Sequence, residues 1–281
     1  MPRIGTMISF DSSNISELER KFSDVAAFGM DNCQLCSWEP AVWTDELAKK
    51  ISSLSGKYNI EISSFWCGWE GPKTWNFYDG QRTLGLVAPE YRSMRIRNLC
   101  DGADFAKKLG VTDVVTHMGF IPENPLDSNF IPLCVAIREV AEHLKKNGQY
   151  LLFETGQETP VTMIRCFEEV RCDNLGVNLD TANLILYGKA NPVDALDVFG
   201  KYVRAMHAKD GLYPTNGHDL GREVRIGRGK VDFRGVFTGL RSYGYERCIT
   251  IEHEIDGDDS ASAIIEAKAY LESIISEVWK D

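Results

Sequence analysis

Residues 150–156 read YLLFETG, residues 175–183 LGVNLDTAN, residues 203–211 VRAMHAKDG and residues 248–255 CITIEHEI. Each is a short apolar run that arrives at an ionisable side chain: Glu154, Asp180, His207 and Glu252. Short apolar runs bounded by turn signals read as strands buried on both faces. An ionisable group at the end of such a run needs a partner to offset its desolvation. Taken singly, a strand-end carboxylate is more often a helix N-cap or an ion-pair partner than a ligand. Three carboxylates and a histidine at matching depth on consecutive strands point instead to one shared divalent cation.

Working outward, strand and helix patterns alternate along the whole chain. Strands are expected at about 3–10, 31–37, 60–66, 113–118, 150–154, 175–180, 203–208 and 248–253. Helical patterns fill the gaps, from about residue 15 behind the Ser12/Ser13/Asn14 cluster, then 41–55, 88–109, 131–147, 160–170, 192–201, 232–243 and 260–278. Eight βα units in 281 residues, with no internal linker, predict a single (β/α)8 TIM barrel over 1–281. A doubly wound open sheet is the runner-up, but its Gly-rich first turn is replaced here by Asp11-Ser12-Ser13. Two connections are long, 67–88 and 209–231. Both are βα loops, so both belong to the face where barrel active sites form.

In such a barrel the C-terminal ends of strands five to eight lie side by side, and their inward side chains converge. Two glutamates, an aspartate and a histidine form an oxygen-rich set with one nitrogen. That set suits Mn2+ best, with Mg2+, Co2+ or Zn2+ as alternatives. His117 ends the fourth strand and lines the pocket or packs in the core. Lys209, two residues beyond His207, faces the mouth, while Asp210 anchors the loop. Glu158 and Asn183 are candidates to bind substrate over the rim. Trp38, Trp66 and Trp69 cluster at the ends of strands two and three, where indole faces pack well on the C–H face of a sugar. His218 lies in the long loop, a candidate to enter the site on closure or a loop histidine without a role, and His253, next to Glu252, should face outward against the helices. Ile226-Gly-Arg-Gly-Lys-Val-Asp232 lacks the P-loop pattern; Asp232 reads as a helix cap, and Arg225 or Arg228 as a contact for an anionic substrate.

The net charge of −10 disfavours nucleic acid and anionic membrane as partners. The N-terminus shows no signal-peptide pattern and no long apolar run follows. Eight scattered cysteines read as reduced thiols, and a cytoplasmic location is expected. Cys33 and Cys36 should face opposite sides of one strand.

Glu154 in FETGQETP, Asp180 in NLDTANL, His207 in MHAKDG, the IGRGKVDF segment and Glu252 in TIEHE together resemble the sugar phosphate isomerase/epimerase family, the xylose isomerase-like TIM barrels. FWCGW and THMGF support the resemblance in the first half. It implies a divalent metal on Glu154, Asp180, His207 and Glu252, and a small-molecule sugar or sugar phosphate as substrate. It also implies isomerase or epimerase chemistry through an enediolate, with Glu154 and Glu252 as base and acid, and a homodimer or homotetramer. The ketose 3-epimerase branch has a histidine where this chain has Asn183, and an arginine near Tyr213, with Arg222 and Arg225 as nearby replacements. Three alternatives stay open: a dehydratase or lyase using the same metal site, an endonuclease IV-like phosphodiesterase, and a non-catalytic sugar-binding barrel.

Overall fold

The strands are buried on both faces, and alternate side chains along them fall into two packing sets. In the computed structural model, which describes residues 1–255 and 257–280, Leu151, Phe153, Val177 and Leu179 pack outward in a core shared with the helices. Leu152 and Val115 belong to a second, smaller cluster with Cys36, Trp66 and Ala205. These two sets are the outer and inner walls of a closed parallel barrel.

The barrel strands are β1 (Ile4–Ser9), β2 (Asn32–Ser37), β3 (Glu61–Cys67), β4 (Asp113–Thr116), β5 (Tyr150–Glu154), β6 (Leu175–Asp180) and β7 (Val203–Ala208). A short two-stranded antiparallel ribbon follows, β8 (Asp210–Leu212) with β9 (Arg222–Val224), and β10 (Ile249–Ile251) then closes the barrel between β7 and β1. All eight expected barrel strands are present. The ribbon inside the 209–231 connection was not expected. The eighth strand is shorter than the expected 248–253, yet Glu252 N–H still donates to Ala208 O at 3.1 Å, so the residue keeps its level beside β7.

The helices are α1 (Ile15–Ala27), α2 (Asp45–Tyr58), α3 (Gly80–Thr83), α4 (Arg92–Lys108), α5 (Phe130–Lys146), α6 (Pro160–Val170), α7 (Thr181–Leu186), α8 (Pro192–Phe199), α9 (Phe233–Ser242) and α10 (Ser260–Val278). Helix α5 shows why they form. Phe130, Leu133, Cys134, Ile137, Val140, Ala141 and Leu144 recur at helical spacing and are buried, and His143, Lys145 and Lys146 occupy the last turn, where the helix dipole favours cations. The chain leaves through Gly148 at φ 73°, a conformation that favours glycine. Side-chain caps begin several other helices, among them α1 and α9: Asn14 accepts from Glu17 N–H and Asp232 from Gly235 N–H. The segment expected as one helix from 41 is a 3-10 turn at Pro40–Val42 followed by α2, started by the Thr44 cap.

Cys33 packs in the outer core and Cys36 in the inner cluster, on opposite faces of β2 as expected, and all eight cysteines are free thiols. Among the described residues no helix is long and apolar enough to cross a membrane.

Candidate metal centre and substrate cavity

The strand register brings the four selected residues to one level. Asp180 on β6 pairs with His207 on β7, and His207 pairs with Thr250 on β10, two residues before Glu252. Backbone stitching holds the strand ends: Thr155 Oγ1 donates to Asp180 O at 2.8 Å and accepts from Asp180 N–H at 2.9 Å, and Thr181 Oγ1 donates to Lys209 O at 2.7 Å. One donor atom from each of Glu154, Asp180, His207 and Glu252 lies within 4.8 Å of all the others. Oxygen ligands around one hard cation sit at about 2.0–2.6 Å, so opposite donors lie at most about 5 Å apart. The four residues fit a single divalent ion.

Two details of the donors strengthen that fit. His207 is fully buried, and its Nε2 lies 2.7 Å from Gln34 Oε1, whose amide nitrogen in turn donates to Ser64 Oγ at 2.7 Å. Gln34 has only an acceptor to offer there, so one proton sits on Nε2, and Nδ1 faces Glu252 Oε2 at 3.0 Å, Glu154 Oε1 at 3.4 Å and Asp180 Oδ2 at 3.8 Å, the nitrogen left for a cation once it releases its own proton. Asp180 divides its work. Its Oδ1 caps α7 by accepting from Asn183 N–H at 2.8 Å, while its buried Oδ2 has no hydrogen-bond partner. The cap reading of this aspartate is realised on Oδ1, and Oδ2 is left available to a ligand.

Three carboxylates crowded together in a buried site perturb each other strongly. Burial pushes Asp180 up to about 7. Burial also raises Glu154 and Glu252, but neighbouring cations outweigh it, His117 and His207 for Glu154 and Lys209 and His207 for Glu252, leaving both below their ordinary value. His207 is held well above its ordinary value, because Glu154 and Glu252 overcome its own desolvation. A bound cation relieves this arrangement, since it compensates the carboxylates and competes with the protons.

Above the four residues lies a cavity of about 490 Å³. Trp38, Trp66, Trp75 and His117 form one continuous aromatic wall. Trp38 and Trp66 lie 4.6 Å apart between ring centroids, Trp66 and His117 5.7 Å, and Trp75 and His117 5.1 Å. Trp66 Nε1 donates to Glu154 Oε2, and Asn183 Nδ2 donates to Glu154 Oε1 at 3.2 Å, so the carboxylate is oriented from two sides. Lys209 is buried in the mouth, 3.4 Å from Glu252 Oε2 and 3.7 Å from Glu223 Oε2, and also bonds Glu254. Burial raises Glu223 to about 7. The two long loops meet over the site, where Tyr78 Oη and His218 Nδ1 are 2.7 Å apart. Arg95, fully buried on α4, holds the first loop by donating to Gly85 O and Pro72 O, each at 2.7 Å.

Of the residues expected to bind substrate, Trp38, Trp66, His117, Asn183 and Lys209 line the cavity. Glu158 does not. It is buried behind the rim with Oε2 unpartnered, and its neighbour Gln157 takes the lining position. The reason is local: the helix starts at Pro160 behind the Thr159 cap, which turns the chain away at Glu158. Trp69 is also not a lining residue. It supports Trp38 edge-on at 5.1 Å and packs under Arg95. Arg225 pairs with Asp258 and Glu266 and Arg228 is exposed, so neither reaches the cavity. His253 faces away from the four residues as expected, but it sits under the ribbon near Glu223 and Asp258 rather than against helices. Gln34, Trp75, Gln157, Tyr187 and Glu223 were missed. Gln34 had a signal, a polar residue in the middle of a strand with no exposed position.

Comparison with known proteins gives a consistent picture. The profile of the xylose isomerase-like TIM barrel family matches residues 22–274. An uncharacterised protein of Methanocaldococcus jannaschii is 28% identical over 202 residues, a match spanning 66% of each chain. The crystal structure of a xylose isomerase domain protein from Planctomyces limnophilus superposes with a TM-score of 0.91 at 29% identity, covering 99% of this chain and 98% of that one. An L-ribulose 3-epimerase shares the fold with a TM-score of 0.73 at 20% identity, covering 99% and 97%.

Proposed function

Because this chain belongs to the xylose isomerase-like TIM barrel family, we propose that it is a divalent-metal-dependent sugar isomerase or epimerase that moves a proton at a carbon next to a carbonyl. The observation that carries this reading is the convergence of Glu154, Asp180, His207 and Glu252, with the two glutamates as the outer members of four consecutive strands. A divalent cation on these residues, Mn2+ by the donor set, supplies Lewis acidity when bound.

The chain's own residues do the rest. Glu154 takes the proton from carbon; Trp66 and Asn183 fix which way its oxygens point. Glu252, on the far flank, returns a proton. Positioned carboxylates of this kind contribute about 10²–10⁴-fold in rate. The Lys209 ammonium, held at the mouth by Glu252, Glu223 and Glu254, stabilises negative charge that develops on the substrate oxygen. The aromatic wall orients the sugar ring through its C–H face and limits the water that reaches the reacting carbon.

The test is turnover of a ketose panel by the Mn2+-supplemented protein in D2O. Deuterium at the reacting carbon is expected, and Glu154→Gln and Glu252→Gln should each abolish it. Turnover without any exchange at carbon favours a hydride shift and refutes these roles.

A further inference from the structure

Barrels of this architecture frequently bind phosphate with the loops after the last two strands and a nearby helix N-terminus. Here that place is filled from within. The Asp210 carboxylate accepts from Gly227 N–H at 3.0 Å, Gly229 N–H at 2.8 Å and Val231 N–H at 3.1 Å. Those are the backbone donors a phosphate would use in this turn. There is no room for both, since even a Cβ placed on Gly229 would lie 2.1 Å from Asp210 Oδ1. The following helix, α9, is closed in the same way by the Asp232 side chain.

The cations tell the same story. Among the described residues no arginine lines the cavity, and Arg225 is committed to Asp258 and Glu266. Lys209 already faces Glu223, Glu252 and Glu254. Lys73 stands exposed at the rim with its ammonium 4.9 Å above the Trp38 ring. Against these two lysines, the lining carries Glu154, Glu223, Glu252 and Glu254, with Asp180 beneath. Five carboxylates against two lysines leave no excess positive charge even with a divalent cation in place. A phosphate dianion in this low-dielectric cleft finds no uncommitted cation to offset its desolvation.

The cavity does offer neutral recognition. Trp38, Trp66 and Trp75 present indole faces. Gln157 lines the cavity, is 1% exposed, and has neither amide atom in a hydrogen bond. A buried amide with both ends free matches the donor and acceptor of a sugar hydroxyl pair.

We infer that, within the sugar chemistry proposed above, this cavity takes an unphosphorylated sugar, stacked on the indole wall and paired through its hydroxyls with Gln157, and discriminates against the terminal phosphate ester.

The experiment is an indole-fluorescence titration of the full-length Mn2+-loaded protein with matched pairs: D-fructose and D-fructose 6-phosphate, D-tagatose and its 6-phosphate, D-xylulose and its 5-phosphate. The free sugar is expected to bind at least about tenfold more tightly than its ester, the scale of an unscreened like-charge contact. The double variant Glu223→Gln/Glu254→Gln should narrow that gap by improving ester binding. An ester that binds as well as its free sugar, or better, overturns the inference. Binding is read here without turnover, so this result stands apart from the deuterium test: loss of exchange at carbon refutes the proton-transfer roles and leaves the sugar-over-ester ranking readable.

Discussion

Replacing Gln34 with leucine removes the acceptor that lies 2.7 Å from His207 Nε2 while leaving all four ligands in place. The imidazole is fully buried, so the abandoned N–H finds no water. An orphaned buried donor costs about 1–3 kcal/mol, and about 1.4 kcal/mol is a factor of ten. The protein relieves that cost by moving the proton to Nδ1, the atom that faces Glu252, Glu154 and Asp180. This is the tautomer that cannot bind a cation. The expected result is a 10–100-fold loss of Mn2+ affinity, in line with the usual effect of removing a partner behind a metal-bound histidine. Isothermal titration with Mn2+ at neutral pH reads it. Gln34→Glu restores an acceptor and should recover most of the affinity. Wild-type affinity in Gln34→Leu, or a glutamate variant as weak as the leucine one, would refute the tautomer argument.

Other predictions concern different parts of the site. Trp66→Phe takes the N–H from Glu154 Oε2 but keeps the aromatic face; a hydrogen bond to a charged group is worth about 1.5–3 kcal/mol, so kcat should fall about 10–100-fold with a smaller change in KM. Burial pushes Glu158 up from its ordinary 4.5 to about 8. A raised carboxyl pKa stabilises the fold in full below the unfolded value, and that contribution declines as pH rises and is gone near pH 8. At about 1.4 kcal/mol per pH unit this is about 5 kcal/mol in total. Urea denaturation at pH 5 and pH 8 should show a decline in wild type that is reduced by the Glu158 share in Glu158→Gln, the remainder coming from Asp180 and Glu223; equal declines would contradict it. Gly229→Ala pushes a methyl group into Asp210 Oδ1 and Gly211 O, so thermal melting should show a loss of about 1–3 kcal/mol.

The parts of this protein that were legible in its sequence share a physical cause. Glu154, Asp180, His207 and Glu252 stand out because each follows a mostly apolar run, broken by a charge only at Arg204, and burial in a parallel barrel leaves few reasons for that. The eight strands were legible because each is a short, largely apolar run that alternates with a helical pattern. The 210–224 ribbon was not, because two three-residue strands separated by a polar loop carry no periodicity. Helix α7 was hidden for a similar reason: its six residues, TANLIL, are too short for a helical period and continue the apolar run of β6. Glu158 and Gln157 show the limit at the level of single residues. Both are polar and adjacent, and only the backbone path between Glu154 and the Thr159 cap decides which one faces the cavity. Trp75 acts through contact with His117, far away in sequence, which no local pattern encodes, and the mid-strand polarity that marks Gln34 does not say that its partner is His207.

The most direct test of the metal centre is anomalous diffraction at the manganese edge from a crystal soaked in Mn2+. A single strong peak is expected among Glu154, Asp180, His207 Nδ1 and Glu252, and it should vanish in Asp180→Asn. No peak there, or a peak elsewhere that survives Asp180→Asn, would contradict the account.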